Sequence, residues 1–265
     1  MSLRVDGSVA VITGGAGGIG AAAAERLAAI GARVVVADVA DGSGLADRVG
    51  GIYLRCDTTD LAEVERVMAA AVAEFGRLDI VLANAGVRGD SPMGAGFDVV
   101  AYRRAMSVNV DGVVFTVQAA LPHLIASGGG RILVTASMAG LMPVPLDVAY
   151  AASKAAAVGF VRSAAPLLAS QGVTLMAVCP SFADTAILGE SRPLLESAGF
   201  AIMPVGQVAD AMLEVLDMGK PGECWMVQAG REPEPFRFRN PPGPRHQDGS
   251  RMSLDQDAMN ETGQW

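Results

Sequence analysis

Short apolar, β-branched runs recur along the chain, separated by longer stretches rich in Ala and Leu. The runs are SVAVIT (8–13), RVVVAD (33–38), GIYLRC (51–56), DIVLAN (79–84), RILVTA (131–136), VTLMAV (173–178) and ECWMVQ (223–228). Most are apolar at consecutive positions, as strands covered on both faces require, and such strands belong to a parallel sheet. Stretches 19–30, 61–75, 98–127, 148–171 and 204–218 read as helices, and Gly31, Gly76, Gly128 and Gly172 follow four of them, where a left-handed cap is wanted. The alternation predicts an α/β fold, a three-layer doubly wound parallel sheet of about seven strands filling a single domain over 1–230. From Arg231 to Trp265 the period is lost in a Pro-rich tail, either disordered or extended across a partner subunit through Phe236, Phe238 and Trp265.

Half of the 265 residues are hydrophobic, so a large core can be buried and global disorder is excluded. The net charge of -8, with no run of Lys or Arg, argues against nucleic acid. Cys56, Cys179 and Cys224 lie far apart without a C-x-x-C spacing, and only His123 and His246 could join them. No metal is expected; the thiols read as buried strand-end residues in a reducing compartment. No apolar run approaches the ~20 residues that span a bilayer, and the N-terminal stretch enters a strand without a signal-peptide layout. The cytoplasm is the expected location, with no membrane partner.

The first strand leads into TGGAGGIG, Thr13 to Gly20, which opens a helix. Glycines let a backbone turn tightly against a pyrophosphate, and free amides at the positive helix end stabilise its charge. Asp38 closes the second strand, 18 residues past Gly20. A carboxylate there accepts both ribose hydroxyls and repels a 2′-phosphate, favouring NAD over NADP. Asp57, after the third strand, suits either an adenine amino group or a helix start. Tyr150 and Lys154 are four residues apart on a predicted helix, so they share one face; alone, such a pair is as readily amphipathic surface.

Read together, the glycine loop, NAG at 84–86, Asn109 in VNVDG, Ser137 and Tyr150-x-x-x-Lys154 resemble the short-chain dehydrogenase/reductase family in its single-domain form, from about Val9 to Val227. Segments 137–144, 158–165 and 179–188 are similar to its NAD-linked hydroxyprostaglandin dehydrogenase branch. The resemblance implies a Rossmann fold with strand order 3-2-1-4-5-6-7 and oxidation or reduction at CH–OH groups. It implies a catalytic set of Asn109, Ser137, Tyr150 and Lys154. Tyr150 exchanges a proton with the substrate oxygen, Ser137 donates to that oxygen, Lys154 favours the phenolate and bonds the nicotinamide ribose, and Asn109 holds a water leading to solvent. The implied cofactor site takes in Gly14, Gly17, Gly18, Ile19, Gly20, Asp38, Cys56, Asp57, Asn84, Ala85, Gly86, Tyr150, Lys154, Pro180 and Thr185. Asn84 is equally a strand-end cap supporting the loop.

Pro180-Ser181 stands where the family commonly has Pro-Gly, which would strain Ser181 if that position needs a positive φ. A short lid between Thr185 and Pro204 implies a more open cleft, or one closed by the tail or another subunit; Leu141, Met142, Val144, Phe182, Ile187 and Leu188 line it and suit a lipophilic secondary alcohol or ketone, with core packing the competing reading of each. Pro166 should kink its helix. Small residues on 148–171 fit the family's two-fold helix interface, so a homodimer or homotetramer is expected. A catalytically silent NAD-binding regulatory protein is the competing reading, as is an epimerase or dehydratase with bound NAD, for whose larger C-terminal domain there is no room.

Overall fold

The structure is a computed structural model and describes residues 5–239; Trp265, assigned above to the tail, lies outside the described residues. Seven strands form the predicted parallel sheet: β1 (Val9–Thr13), β2 (Arg33–Asp38), β3 (Ile52–Arg55), β4 (Ile80–Ala83), β5 (Gly130–Thr135), β6 (Val173–Pro180) and β7 (Cys224–Val227). An eighth, β8 (Glu234–Pro235), pairs antiparallel with β7, so the order is β3-β2-β1-β4-β5-β6-β7-β8. The start of the tail is therefore an edge strand of this chain's own sheet, where a proline is tolerated because no neighbour needs its missing N–H.

Strand pleating sends alternate residues to opposite faces. Val9 and Val11 join the core under α3 (Leu61–Phe75), α5 (Gly112–Ala126) and α6 (Val148–Ala169), while Ala10 and Ile12 join the core under α1 (Gly18–Ala29) and α8 (Val205–Met218). Both faces are covered, which explains the consecutive apolar runs. The four cap glycines take positive φ: Gly31 at 94°, Gly76 at 81°, Gly128 at 93° and Gly172 at 79°. The structure adds α2 (Ser43–Val49) and α7 (Arg192–Ser197), both short. It also divides the helix expected at 98–127 into α4 (Val99–Met106), a π-helical turn at Ser107–Asp111, and α5.

Val99–Ala126 taken whole is 28 residues long and apolar enough, by length and composition, to cross a membrane, which the sequence reading did not expect. It packs against α3 and α6. α6 continues through Pro166 to Ala169, since a proline in the last turn removes only one N–H bond.

The β1–α1 turn is built on close backbone approach. Gly14 has φ +62° and lies against the Cα of Ala85, while a side chain at Gly20 would collide with the Gly14 carbonyl oxygen and the Asn84 amide. Gly20→Ala should therefore lower the unfolding free energy by about 1–3 kcal/mol in urea titrations, the range for overpacking a tight site; native stability would contradict this packing.

Candidate active site

The C-terminal ends of β1 to β6 open onto one cleft of about 1230 Å³. Of the residues expected in the catalytic and cofactor sets, all but two line it. Gly20 lies beneath it, pressed against Gly14 and Asn84. Asn109 is fully buried in the π-helical turn.

At the β2–β3 end, Asp38 accepts Ala16 N–H at 3.0 Å and Ala40 N–H at 2.9 Å, joining the glycine loop to the end of β2. Asp41 and Asp57 line the same end, and Arg55 is near enough to Asp57 to favour its charged form. The Asp57 carboxylate accepts from Thr59 N–H and hydroxyl, which hold it below the usual carboxylate range. It shapes the turn before α3, whose N-cap is Asp60. Cys56 is buried, its N–H donates to the Asp38 carbonyl, and burial pushes its thiol up to about 11. The thiols of Cys179 and Cys224 are buried and free as well.

Gly17 is the N-cap of α1, and a Cβ there would meet nothing within 4 Å. The helix start borders the cleft through Gly17, Gly18 and Ile19, where an anion can approach it. Asn84 supports the loop from below: its amide donates to the carbonyls of Thr13 and Gly14 and accepts from the Thr135 hydroxyl, tying β1, β4 and β5 together.

Where β5 and β6 end, α6 carries Tyr150 and Lys154 on one face. Lys154 is 2% exposed, and its ammonium donates to the Thr135 carbonyl at 2.8 Å. Burial lowers its pKa to about 8. Burial also raises the phenol of Tyr150, with Asp147 and Cys179 adding to the rise and the Ser137 hydroxyl opposing it. In the chain alone burial sets the direction of this shift; Lys154 Nζ is 5.7 Å from the ring centroid. Ser137 Oγ accepts Ala139 N–H at 3.1 Å, and its hydroxyl bonds the Tyr150 phenol.

Asn109 works as a joint. Its Oδ1 accepts from Val87 N–H, and its Nδ2 donates to the Val87 carbonyl and to Ser153 Oγ, each at 2.9 Å. Both amide protons are used within the protein. Among the described residues Ser181 has no positive φ, so the expected strain is absent. Thr185 abuts Gly18.

Apolar side chains close this end. Met142, Val144, Phe182, Ile187 and Leu188 line it as expected, with Leu195 and Phe200 added. Leu141 does not; it turns into the core beneath α6. The lid folds over the cleft through α7, through the Phe182–Phe200 ring contact at 5.2 Å, and through Arg88, which donates to the Leu188 carbonyl. Sequence reasoning missed Asp147 and Gly89, which meet across 58 residues, and the Thr135 carbonyl that receives Lys154. No spacing rule announces partners so distant.

The family model for short chain dehydrogenases matches residues 8–195. The cis-4-hydroxycyclohexanecarboxylate dehydrogenase of Sinomonas cyclohexanicum is 37% identical, over 76% of this chain and 83% of that protein. The 2,5-dichloro-2,5-cyclohexadiene-1,4-diol dehydrogenase of Sphingobium indicum is 32% identical, over 79% of this chain and 86% of that protein. Among solved structures, a short-chain type dehydrogenase/reductase from Mycobacterium marinum superposes with a TM-score of 0.78 at 28% identity, covering 85% of this chain and 96% of that one. Levodione reductase superposes at 0.77 with 25% identity, covering 86% and 98%. The chain belongs to the short-chain dehydrogenase/reductase family.

Proposed function

We propose that the protein is an NAD(H)-dependent oxidoreductase that interconverts a secondary alcohol and its ketone, with Tyr150 as general acid and base. The observation that carries this reading is the meeting of Ser137, Tyr150 and Lys154 in one cleft with an apolar wall beside them and a carboxylate-lined end opposite. The residues present fit a dinucleotide. The start of α1 borders the cleft at Gly17, and Lys154 has one protein acceptor for three N–H donors. The carboxylates of Asp38 and Asp41 favour ribose hydroxyls over a 2′-phosphate, hence NAD over NADP.

When bound, the nicotinamide supplies the hydride acceptor or donor. The chain's own groups hold and move the proton. Ser137 donates its O–H to the substrate oxygen, and Tyr150 gives or takes the proton at that oxygen. Lys154 offers its remaining N–H donors to the ribose. Bringing a phenol down by three pH units takes about 4 kcal/mol, so oxidation needs a second positive charge beside Lys154. The loop amides and Asp38 fix the nucleotide, and the lid keeps water from the reacting centre.

The apolar wall favours a lipophilic substrate, and the relatives named for hydroxycyclohexane carboxylate and cyclohexadiene diol support a cyclic one. The same reading has the protein working in the cytoplasm as a homodimer or homotetramer, supported by the exposed apolar side chains of Val99, Val100, Ile125 and Val148 on α4–α6.

Tyr150→Phe should cut turnover about 10²–10⁴-fold, the usual contribution of a positioned acid or base, while NADH affinity read by fluorescence titration stays near native. Retained turnover would contradict the role given to Tyr150. Because the chain raises the phenol's pKa, alcohol oxidation, which needs the phenolate, should accelerate with pH through the alkaline range. Ketone reduction, which needs the phenol, should stay level through neutrality and fall only at high pH. Paired pH–rate profiles check this, and identical profiles in the two directions would refute it.

A further inference from the structure

The loop after β4 and the lid meet at one arginine. Arg88 Nε donates to Asp90 Oδ1 at 2.6 Å, and its Nη1 donates at 3.2 Å to the Leu188 carbonyl, 100 residues away in sequence. Asp90 has φ 45°, the one positive φ among the described residues other than glycine. Backbone there is strained for a residue with a side chain and persists where the surroundings demand it. On the lid side Gly189 leaves room for the guanidinium, since a Cβ at that position would collide with Arg88 Nη1. The next residue along the loop, Gly89, donates its N–H to Asp147 at the start of α6. The guanidinium is thus set between the helix that carries Tyr150 and the lid that carries the apolar wall, and it lines the cleft with its side chain 30% exposed.

We propose that Arg88 is a specificity-determining residue that receives a carboxylate on the substrate, so that the preferred substrate is an apolar hydroxy acid or oxo acid whose carboxylate lies away from the reacting oxygen. The claim rests on the reading of this cleft as the site of an alcohol or ketone beside Tyr150. A guanidinium has five N–H donors; Asp90 and the Leu188 carbonyl take two, and three have no partner among the described residues. The Asp90 carboxylate is half exposed, so this pair is weak, and the planar fork can hold a second carboxylate through its remaining donors. Beside it the lid offers Phe182, Leu188, Leu195 and Phe200. A cation with unused donors against an apolar wall recognises an apolar anion: the wall takes the hydrocarbon and the fork takes the charge. Two other cations line the cleft, Lys154 at the reacting centre and Arg104, an exposed residue of α4. Arg88 is the one of the three that bonds the lid. The start of α1 and Asp38 serve the dinucleotide from other elements, which leaves Arg88 to the substrate.

The test is a calorimetric titration of the NADH-bound protein with cyclohexanecarboxylate and with cyclohexanecarboxamide, two cyclic probes of similar shape that differ in charge. The native complex should hold the carboxylate about tenfold more tightly, the advantage of a charge-assisted hydrogen bond over a neutral one. This comparison needs no variant to fold. Arg88→Gln should lose the preference while its carboxamide affinity stays native, and Arg88→Lys, a point charge without the fork, should recover part of it. NADH affinity should stay native in both variants. A fall in affinity for both probes together would overturn the proposal and leave Arg88 a clasp for the lid. A native protein that binds the carboxylate no better than the amide would overturn it too, as would a preference that persists in Arg88→Gln or an NADH affinity that falls with the substitution. The titration requires no turnover and runs equally on the cofactor-free protein, so an inactive protein would count against the proposed function and not against this inference.

Discussion

A single ammonium group held out of water governs the architecture of the site. Lys154 is the one charged residue among the largest fully buried side chains, and removing such a group from solvent costs several kcal/mol. The fold accommodates it by fitting backbone closely around it. A side chain at Gly86 would meet its Nζ at 3.3 Å, and one at Gly140 would meet its carbonyl oxygen at 2.6 Å. The Thr135 carbonyl at the end of β5 takes one of its N–H groups, and the rest face the cleft. The consequence is a pKa lowered to about 8 from the ordinary 10.5. Between those values the unfolded chain binds the extra proton, so this residue makes the cofactor-free fold more stable as pH rises through the window.

The rest of the site follows from that constraint. A dry pocket deep enough to bury Lys154 also buries Tyr150, and burial raises the phenol before any charge acts. The chain alone thus holds both groups in their neutral forms more than water would. Around them the polarity is graded: carboxylates at the β2–β3 end, backbone amides at the start of α1, and apolar side chains beneath the lid. Such a gradient suits a molecule with hydroxyls at one end and phosphates in the middle, meeting an apolar substrate beneath the lid.

The sheet was legible in the sequence because both faces are covered, which makes strands such as VAVIT and RVVVAD continuous apolar runs. The positive-φ glycines marked four helix ends for the same local reason. Elements held by tertiary contact alone were not legible. α2 reads SGLADRV, too short and glycine-flanked to show a helical period. β8 carries a proline and pairs only because Phe236 N–H reaches the Cys224 carbonyl and Phe238 stacks on the Arg162 guanidinium, 3.8 Å away. The π-helical turn around Asn109 has no sequence mark. The candidate site was legible where chemistry demands a residue type, as at Tyr150 and Lys154, and hidden where only geometry does, as at Gly89 and Asp147.

The most direct test concerns the buried cation. The sequence holds two lysines, Lys154 and Lys220, so ¹³C–¹⁵N lysine labelling gives two side-chain signals to follow through a pH titration. One, Lys154, should titrate near about 8 in the cofactor-free protein and move upward when NADH is added, because new acceptors then favour its charged form. Two lysines titrating together near the ordinary value of about 10.4, unmoved by NADH, would contradict the account.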